Sequence, residues 1–283
     1  MKISEKRNTF IGCAASYEDA GIVLFGAPFD GTSSYRAGSR FAPSAIRNES
    51  YSIETYSPYS DRDLSDISVF DGGDLELPFG NAKAALKTIE EYAAQVISDK
   101  KKPVMLGGEH LVTLGAFSAA QKAYRDICVV HFDAHTDLRD SYLDESLSHA
   151  TVIRRVWDII GDNRIFQFGI RSGERDEFLW AQKHTSLSKF GFDGIDDAVN
   201  AIRQRPVYLT IDLDVLDPSE MPGTGTPEAG GVRFRELLGA VEKVFTLNVV
   251  ACDIVELAPP YDMSGASTAL AMKLLREMLL SFN

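Results

Sequence analysis

Long apolar runs are missing from this 283-residue sequence: none approaches the ~18 consecutive apolar residues of a membrane-spanning helix. The opening residues MKISEKRNTF are too polar for the apolar core of a secretion signal, so the expected location is the cytoplasm. Cysteine is scarce and odd in number. Cys128 and Cys252 lie in apolar, strand-like runs and Cys13 stands alone, which argues against a disulfide framework and for three reduced, structural thiols. Basic charge is short as well, with 29 Lys and Arg against 41 Asp and Glu, a formal net charge of -12 and a pI near 4.9. That balance argues against nucleic acid or an anionic membrane as partner and favours a cationic ligand. No internal repeat, low-complexity linker or shift of composition divides the chain, so residues 1–283 read as a single domain. With 45% hydrophobic and 25% charged residues, it can bury a sizeable core.

Short β-branched and apolar runs alternate with longer stretches of helical period. The spacing predicts strands at GIVLFGAP (21–28), ISVFDGG (67–73), PVMLGG (103–108), ICVVHFDA (127–134), RIFQFGI (164–170), PVYLTIDLD (206–214) and VVACDIVEL (249–257). Helical stretches include NAKAALKTIEEYAAQVISDKK, LVTLGAFSAAQKAY, RFRELLGAVEKVF and STALAMKLLREMLLSF. Several strands are apolar on both faces, as in a parallel sheet covered by helices on each side. The alternation implies one layered α/β domain. SYSIETYSPYSDRDL (50–64) and DSYLDESLSH (140–149) read as surface loops.

In such sheets the ligand site forms at the carboxyl ends of the strands, and three predicted ends carry unusual chemistry. One is the GGEH of Gly107–His110, the second FDAHTD with Asp133, His135 and Asp137, and the third TIDLD with Asp212 and Asp214. Spacing of two on an extended backbone puts side chains on one side, so Asp133, His135 and Asp137 are expected to converge, as are Asp212 and Asp214. Four crowded carboxylates raise one another's pKa unless a cation neutralises them. With His110 and His135 the set suits two divalent ions sharing carboxylates. Mixed nitrogen and oxygen donors without thiolate disfavour a structural zinc site and point to Mn²⁺, with cobalt, iron or nickel as substitutes. A lone DxD is commonly a turn or cap; beside GGEH and DAHTD it reads as a ligand pair. His131, between apolar neighbours, reads as a core histidine or a support for the ligands, and His184 as a solvated surface residue.

Together with GAPFDGTSSYRAGSRFAPSAIR, SHATVIRR, PGTGTPEAGG and DIVELAPPYD, these motifs resemble the ureohydrolases, the arginase and agmatinase family, and within it the agmatinases most. The resemblance runs from about Gly21 to the C-terminal helix. It implies a three-layer αβα fold with a mainly parallel sheet, shared with arginases and deacetylases, two Mn²⁺ ions per subunit, and hydrolysis of a guanidinium group to urea and an amine. Matched residue by residue, His110, Asp133, Asp137 and Asp212 would hold one ion, and His135, Asp133, Asp212 and Asp214 the other. Asp137 would also orient the attacking hydroxide, Glu228 in the Gly-rich turn would bind the guanidinium, and His149 would carry a proton to the leaving amine at its natural pKa. Relatives of this kind form trimers or hexamers.

The substrate is narrowed by what the arginase loops would need. An asparagine two residues past the DAHxD aspartate and a serine-asparagine pair before the catalytic histidine are absent; Arg139 and DESLSH stand there instead. Agmatine, with a free amine and no carboxylate, suits an acidic protein with Asp30, Asp140, Asp144 and Glu145 in expected mouth loops. Arg139 keeps a guanidino acid such as 4-guanidinobutyrate, or arginine, as alternatives. One-zinc deacetylases share the fold class, but His110 and the full DAHTD argue for two ions. A non-catalytic metal-binding member of the family is the alternative of another class, told apart by bound metal and urea release.

Overall fold

Seven of the predicted apolar runs form strands of one parallel sheet in the computed structural model, which describes residues 8–282. The polar start MKISEKR therefore lies outside the described residues. In chain order the strands are β1 (Ile22–Ala27), β2 (Tyr56–Ser57), β3 (Arg62–Asp63), β4 (Val69–Asp74), β5 (Lys102–Gly107), β6 (Cys128–Phe132), β7 (Ile165–Ile170), β8 (Ser186–Lys189), β9 (Pro206–Asp212) and β10 (Asn248–Val255). The helices are α1 (Ala42–Glu49), α2 (Ala82–Ser98), α3 (Thr113–Ala123), α4 (Val152–Ile160), α5 (Arg175–His184), α6 (Ile195–Ile202), α7 (Phe234–Val244) and α8 (Ala266–Ser281). Eight strands line up as β4-β1-β5-β10-β9-β6-β7-β8, and every neighbouring pair is parallel.

Helices cover both faces, which explains why the central strands are apolar throughout. On one side α2, α3, α4 and α5 pack Leu86, Ile89, Phe117, Ile153 and Ala181 against Met105, Val129, Tyr208 and Val255. On the other, α1, α6, α7 and α8 pack Ile46, Ile202, Leu237 and Leu275 against Leu24, Val104, Val130, Leu209 and Ile254. Each Leu, Ile, Val, Phe or Met among them stabilises the fold by about 1.5–3 kcal/mol through its burial. The result is the expected αβα sandwich. Cys13, Cys128 and Cys252 are buried and unbridged. No helix among the described residues is long and apolar enough to cross a membrane.

Two segments depart from expectation. SLSK forms the edge strand β8, short and partly exposed, so it lacks the apolar pattern that marks interior strands. The segment 50–64, expected as a loop, folds into the two-residue hairpin β2–β3; Ser57 donates to Glu277 and Arg276 donates to the Glu54 carbonyl at 2.9 Å, pinning it to α8. His184 is no free surface residue either: its ring stacks on Trp180 at 4.3 Å and its Nδ1 lies 2.8 Å from Asp162.

Candidate active site

The exits of β5, β6 and β9 bring all six candidate ligands together at the carboxyl edge of the sheet. The turn after β5 must be glycine, because a Cβ on Gly108 would lie 1.9 Å from the Phe29 carbonyl oxygen. The exit of β1 runs against that turn, with Gly108 N–H donating to Ala27 O at 3.0 Å and Glu109 N–H to Phe29 O at 2.8 Å. His110 is thereby buried with Nδ1 facing three carboxylates: Asp133 Oδ2 at 3.0 Å, Asp137 Oδ2 at 3.0 Å and Asp212 Oδ2 at 3.3 Å. Its Nε2 is taken by Thr210 Oγ1 at 3.0 Å, and Nδ1 itself makes no hydrogen bond. A buried imidazole nitrogen aimed at carboxylate oxygens without a hydrogen bond is a donor set for a cation.

His135 completes a second group, its Nδ1 3.0 Å from Asp214 Oδ2 and 3.5 Å from Asp133 Oδ1. Asp133 therefore presents Oδ2 to one imidazole and Oδ1 to the other, and it belongs to both metal-sized clusters. The convergence does not come from strand alternation, which corrects the extended-backbone reading. β6 ends at Phe132 and β9 at Asp212; Asp137 adopts a left-handed φ of 52°, and a 3₁₀ turn at Leu213–Val215 swings Asp214 round. The backbone bends because the carboxylates cap it: Asp133 Oδ1 accepts His135 N–H at 2.6 Å and Asp212 Oδ1 accepts Asp214 N–H at 2.9 Å.

The charges report the same crowding. Burial, then Asp133, pushes Asp137 up to about 7. Burial, then Asp214 and Asp133, holds Asp212 well above the carboxylate range. Against the cost of burial, His131, His110 and His135 keep Asp133 well below it. A divalent cation between these groups offsets the repulsion. The donors present fit such ions: two imidazoles, four carboxylates and no thiol.

Above the cluster opens a cavity of about 290 Å³ lined by His135, Asp137, Arg139, Tyr142, His149, Glu174 and Glu256 among others. The segment 140–149, expected as a surface loop, supplies part of its wall through Tyr142 and His149. His149 Nδ1 lies 3.5 Å from Thr32 Oγ1 and Nε2 3.4 Å from Ser34 Oγ. Burial first, then His135, lowers its pKa to about 4, so it rests neutral rather than near its natural value.

Glu228 lies beside the second imidazole, at the rim of the cluster. Its side chain is 41% exposed, with Oε1 3.9 Å from His135 Nε2, and that oxygen accepts from Ser172 Oγ at 2.9 Å. A buried carboxylate outside the ligand set also lines the cavity, Glu256, whose Oε1 accepts His110 N–H at 2.7 Å. Burial, then Glu109, holds it well above its usual pKa. Sequence reasoning passed over it; the available signal was a glutamate ending the apolar strand VVACDIVEL. Arg139 is paired, with Nη2 3.2 Å from Glu174 and Nε 3.6 Å from Glu177, and lies over the Tyr142 ring at 4.7 Å. Its partners lie outside the acids of the expected mouth loops. Asp30 is buried and holds Arg40 and Gly38 N–H, and Asp140 pairs with Arg155 at 2.7 Å.

Fold and site together define a parallel α/β protein with a carboxylate–imidazole metal cluster at its strand ends. The Arginase family model matches residues 20–281, and the chain belongs to the arginase family. It is 48% identical over 278 residues to an agmatinase of Bacillus cereus, covering 96% of each chain, and 47% identical over 277 residues to an agmatinase of Bacillus subtilis, again 96% of each. The crystal structure of agmatine ureohydrolase of Thermoplasma volcanium superposes with a TM-score of 0.90 at 37% identity, covering 98% of this chain and 94% of that one.

Proposed function

We propose that the protein is an agmatinase, hydrolysing agmatine to putrescine and urea with two Mn²⁺ ions held by His110, Asp133, His135, Asp137, Asp212 and Asp214. The observation that carries the choice of substrate is the pairing of Arg139. With Glu174 and Glu177 beside it, the cavity wall holds two carboxylates to one guanidinium. It therefore offers no free cation to a substrate carboxylate and a net negative charge to a distal amine. Likeness to agmatinases over nearly the whole chain supports the same reading; we also read one catalytic domain, cytoplasmic and assembled as a trimer or hexamer.

Two divalent ions at this cluster would supply hydroxide at neutral pH. The chain's own groups do the rest. Asp137 accepts a hydrogen bond from the attacking oxygen and keeps its lone pair directed at the guanidinium carbon. Glu256 replaces Glu228 as acceptor of paired guanidinium N–H bonds, a planar match that uses its buried charge. His149, neutral at rest, takes up a proton during the reaction and passes it to the leaving amine.

A urea assay on Mn²⁺-loaded protein tests the assignment: agmatine should exceed arginine and 4-guanidinobutyrate by at least ~100-fold in kcat/KM, about 2.7 kcal/mol of transition-state binding. Preference for the guanidino acid would sink the agmatinase reading and keep the family. Replacing His149 by Phe should lower kcat by ~100-fold with little change in KM. A rise in KM alone would make it a binding residue.

A further inference from the structure

Asp133 is the ligand that faces both imidazoles, and a chain of hydrogen bonds behind it decides how its carboxylate is presented. Across the sheet, register pairs Asp253 with Thr210, Thr210 with His131, and His131 with Gln167. All four side chains are fully buried. A covered parallel sheet ordinarily fills such positions with apolar residues, and a polar row there is costly unless its members are paired.

The pairing has a direction. The Thr136 carbonyl can only accept, so Gln167 turns its NH₂ towards it at 2.9 Å, while the Thr185 hydroxyl donates to Gln167 Oε1 at 3.0 Å. The same NH₂ lies 3.1 Å from His131 Nδ1, which must therefore be the acceptor. His131 Nε2 then carries the hydrogen and donates to Asp133 Oδ2 at 2.7 Å. A nitrogen committed as donor cannot ligate, so His131 drops out of the metal set although it lies within reach of the His110 group. Thr136 belongs to the same ligand loop as Asp133, so the circuit leaves that loop through Gln167 on β7 and returns to it through His131.

We propose that Gln167 and His131 are positioning residues that fix the rotation of the Asp133 carboxylate, so that its two oxygens serve two ions at once. The proposal rests on the two-ion reading above. Without the His131 donor, Asp133 keeps only the His135 N–H on Oδ1, so Oδ2 loses its fixed direction and the second ion is the one lost.

Equilibrium dialysis of the full chain against graded Mn²⁺, with metal counted by mass spectrometry and the spin-coupled pair read by electron paramagnetic resonance, tests this without any activity assay. Wild type should bind two ions. His131→Phe should keep the first affinity and weaken the second by ~10–100-fold, the range for groups supporting a ligand, with loss of the coupled signal. His131→Gln, whose amide can donate from the same reach, should restore part of it. Gln167→Leu, which frees the tautomer but leaves the imidazole, should weaken the second ion less, and it keeps the test decisive if His131→Phe fails to fold. Two ions of unchanged affinity in His131→Phe, or in a folded Gln167→Leu standing in for it, would overturn the relay alone. A wild type that never takes a second ion would overturn the two-ion reading and the relay with it.

Discussion

Replacing Asp137 with asparagine is expected to lower urea release from agmatine by at least ~10³-fold, about 4 kcal/mol of transition-state stabilisation, while the melting temperature of the metal-free protein hardly moves. The backbone reason for the mild structural effect is the left-handed φ of 52° at this residue. Asparagine tolerates that region about as well as aspartate does. The chemical loss is twofold. A charged oxygen 3.0 Å from His110 Nδ1 is removed from the cation site, and the acceptor that orients the attacking oxygen becomes a neutral amide. Burial also favours the neutral side chain, so no folding penalty masks the catalytic one. Steady-state urea release and a thermal melt measure the two effects, and activity within tenfold of wild type would remove Asp137 from the mechanism.

The second large effect is expected at Glu256. Glu256→Gln should reduce kcat/KM for agmatine by ~10²–10³-fold, because truncating one partner of a buried charge pair costs about 2–5 kcal/mol. Glu228→Gln should cost less than about tenfold, since that side chain is 41% exposed and its hydrogen bond from Ser172 survives in the amide. The comparison is clean on the backbone side: Glu256 sits at a positive φ of 64° that glutamine shares unchanged. Measured side by side with agmatine, the reverse ranking would return the guanidinium to Glu228.

The contrast between these two glutamates shows what the sequence could and could not carry. The six candidate ligands were legible because carboxylates and imidazoles packed into GGEH, DAHTD and DLD have few other uses. Their route was not, since alternation along a strand is a local rule and the structure instead turns each carboxylate back onto its own backbone. Glu256 was hidden because an acid at the end of an apolar strand looks like an ordinary helix or turn start; only the sheet order, which sets β10 between β5 and β9, puts it beside His110. Arg139 was open for a related reason. Its partners Glu174 and Glu177 follow β7, far away in sequence, and α5 presents them. β8 escaped notice as a short polar edge, where nothing requires apolar alternation.

Arg171 follows β7 and reaches five carbonyls, those of Gly169, Asp214, Val215, Leu216 and Glu228, at 2.7–3.3 Å. One guanidinium thus joins the β7 exit, the turn carrying Asp214 and the glycine-rich segment. Loops are usually the first parts of a protein to open to solvent exchange, each on its own. Here the three segments share a single latch, so their amides are expected to exchange with solvent together, at rates closer to those of the sheet than of separate loops.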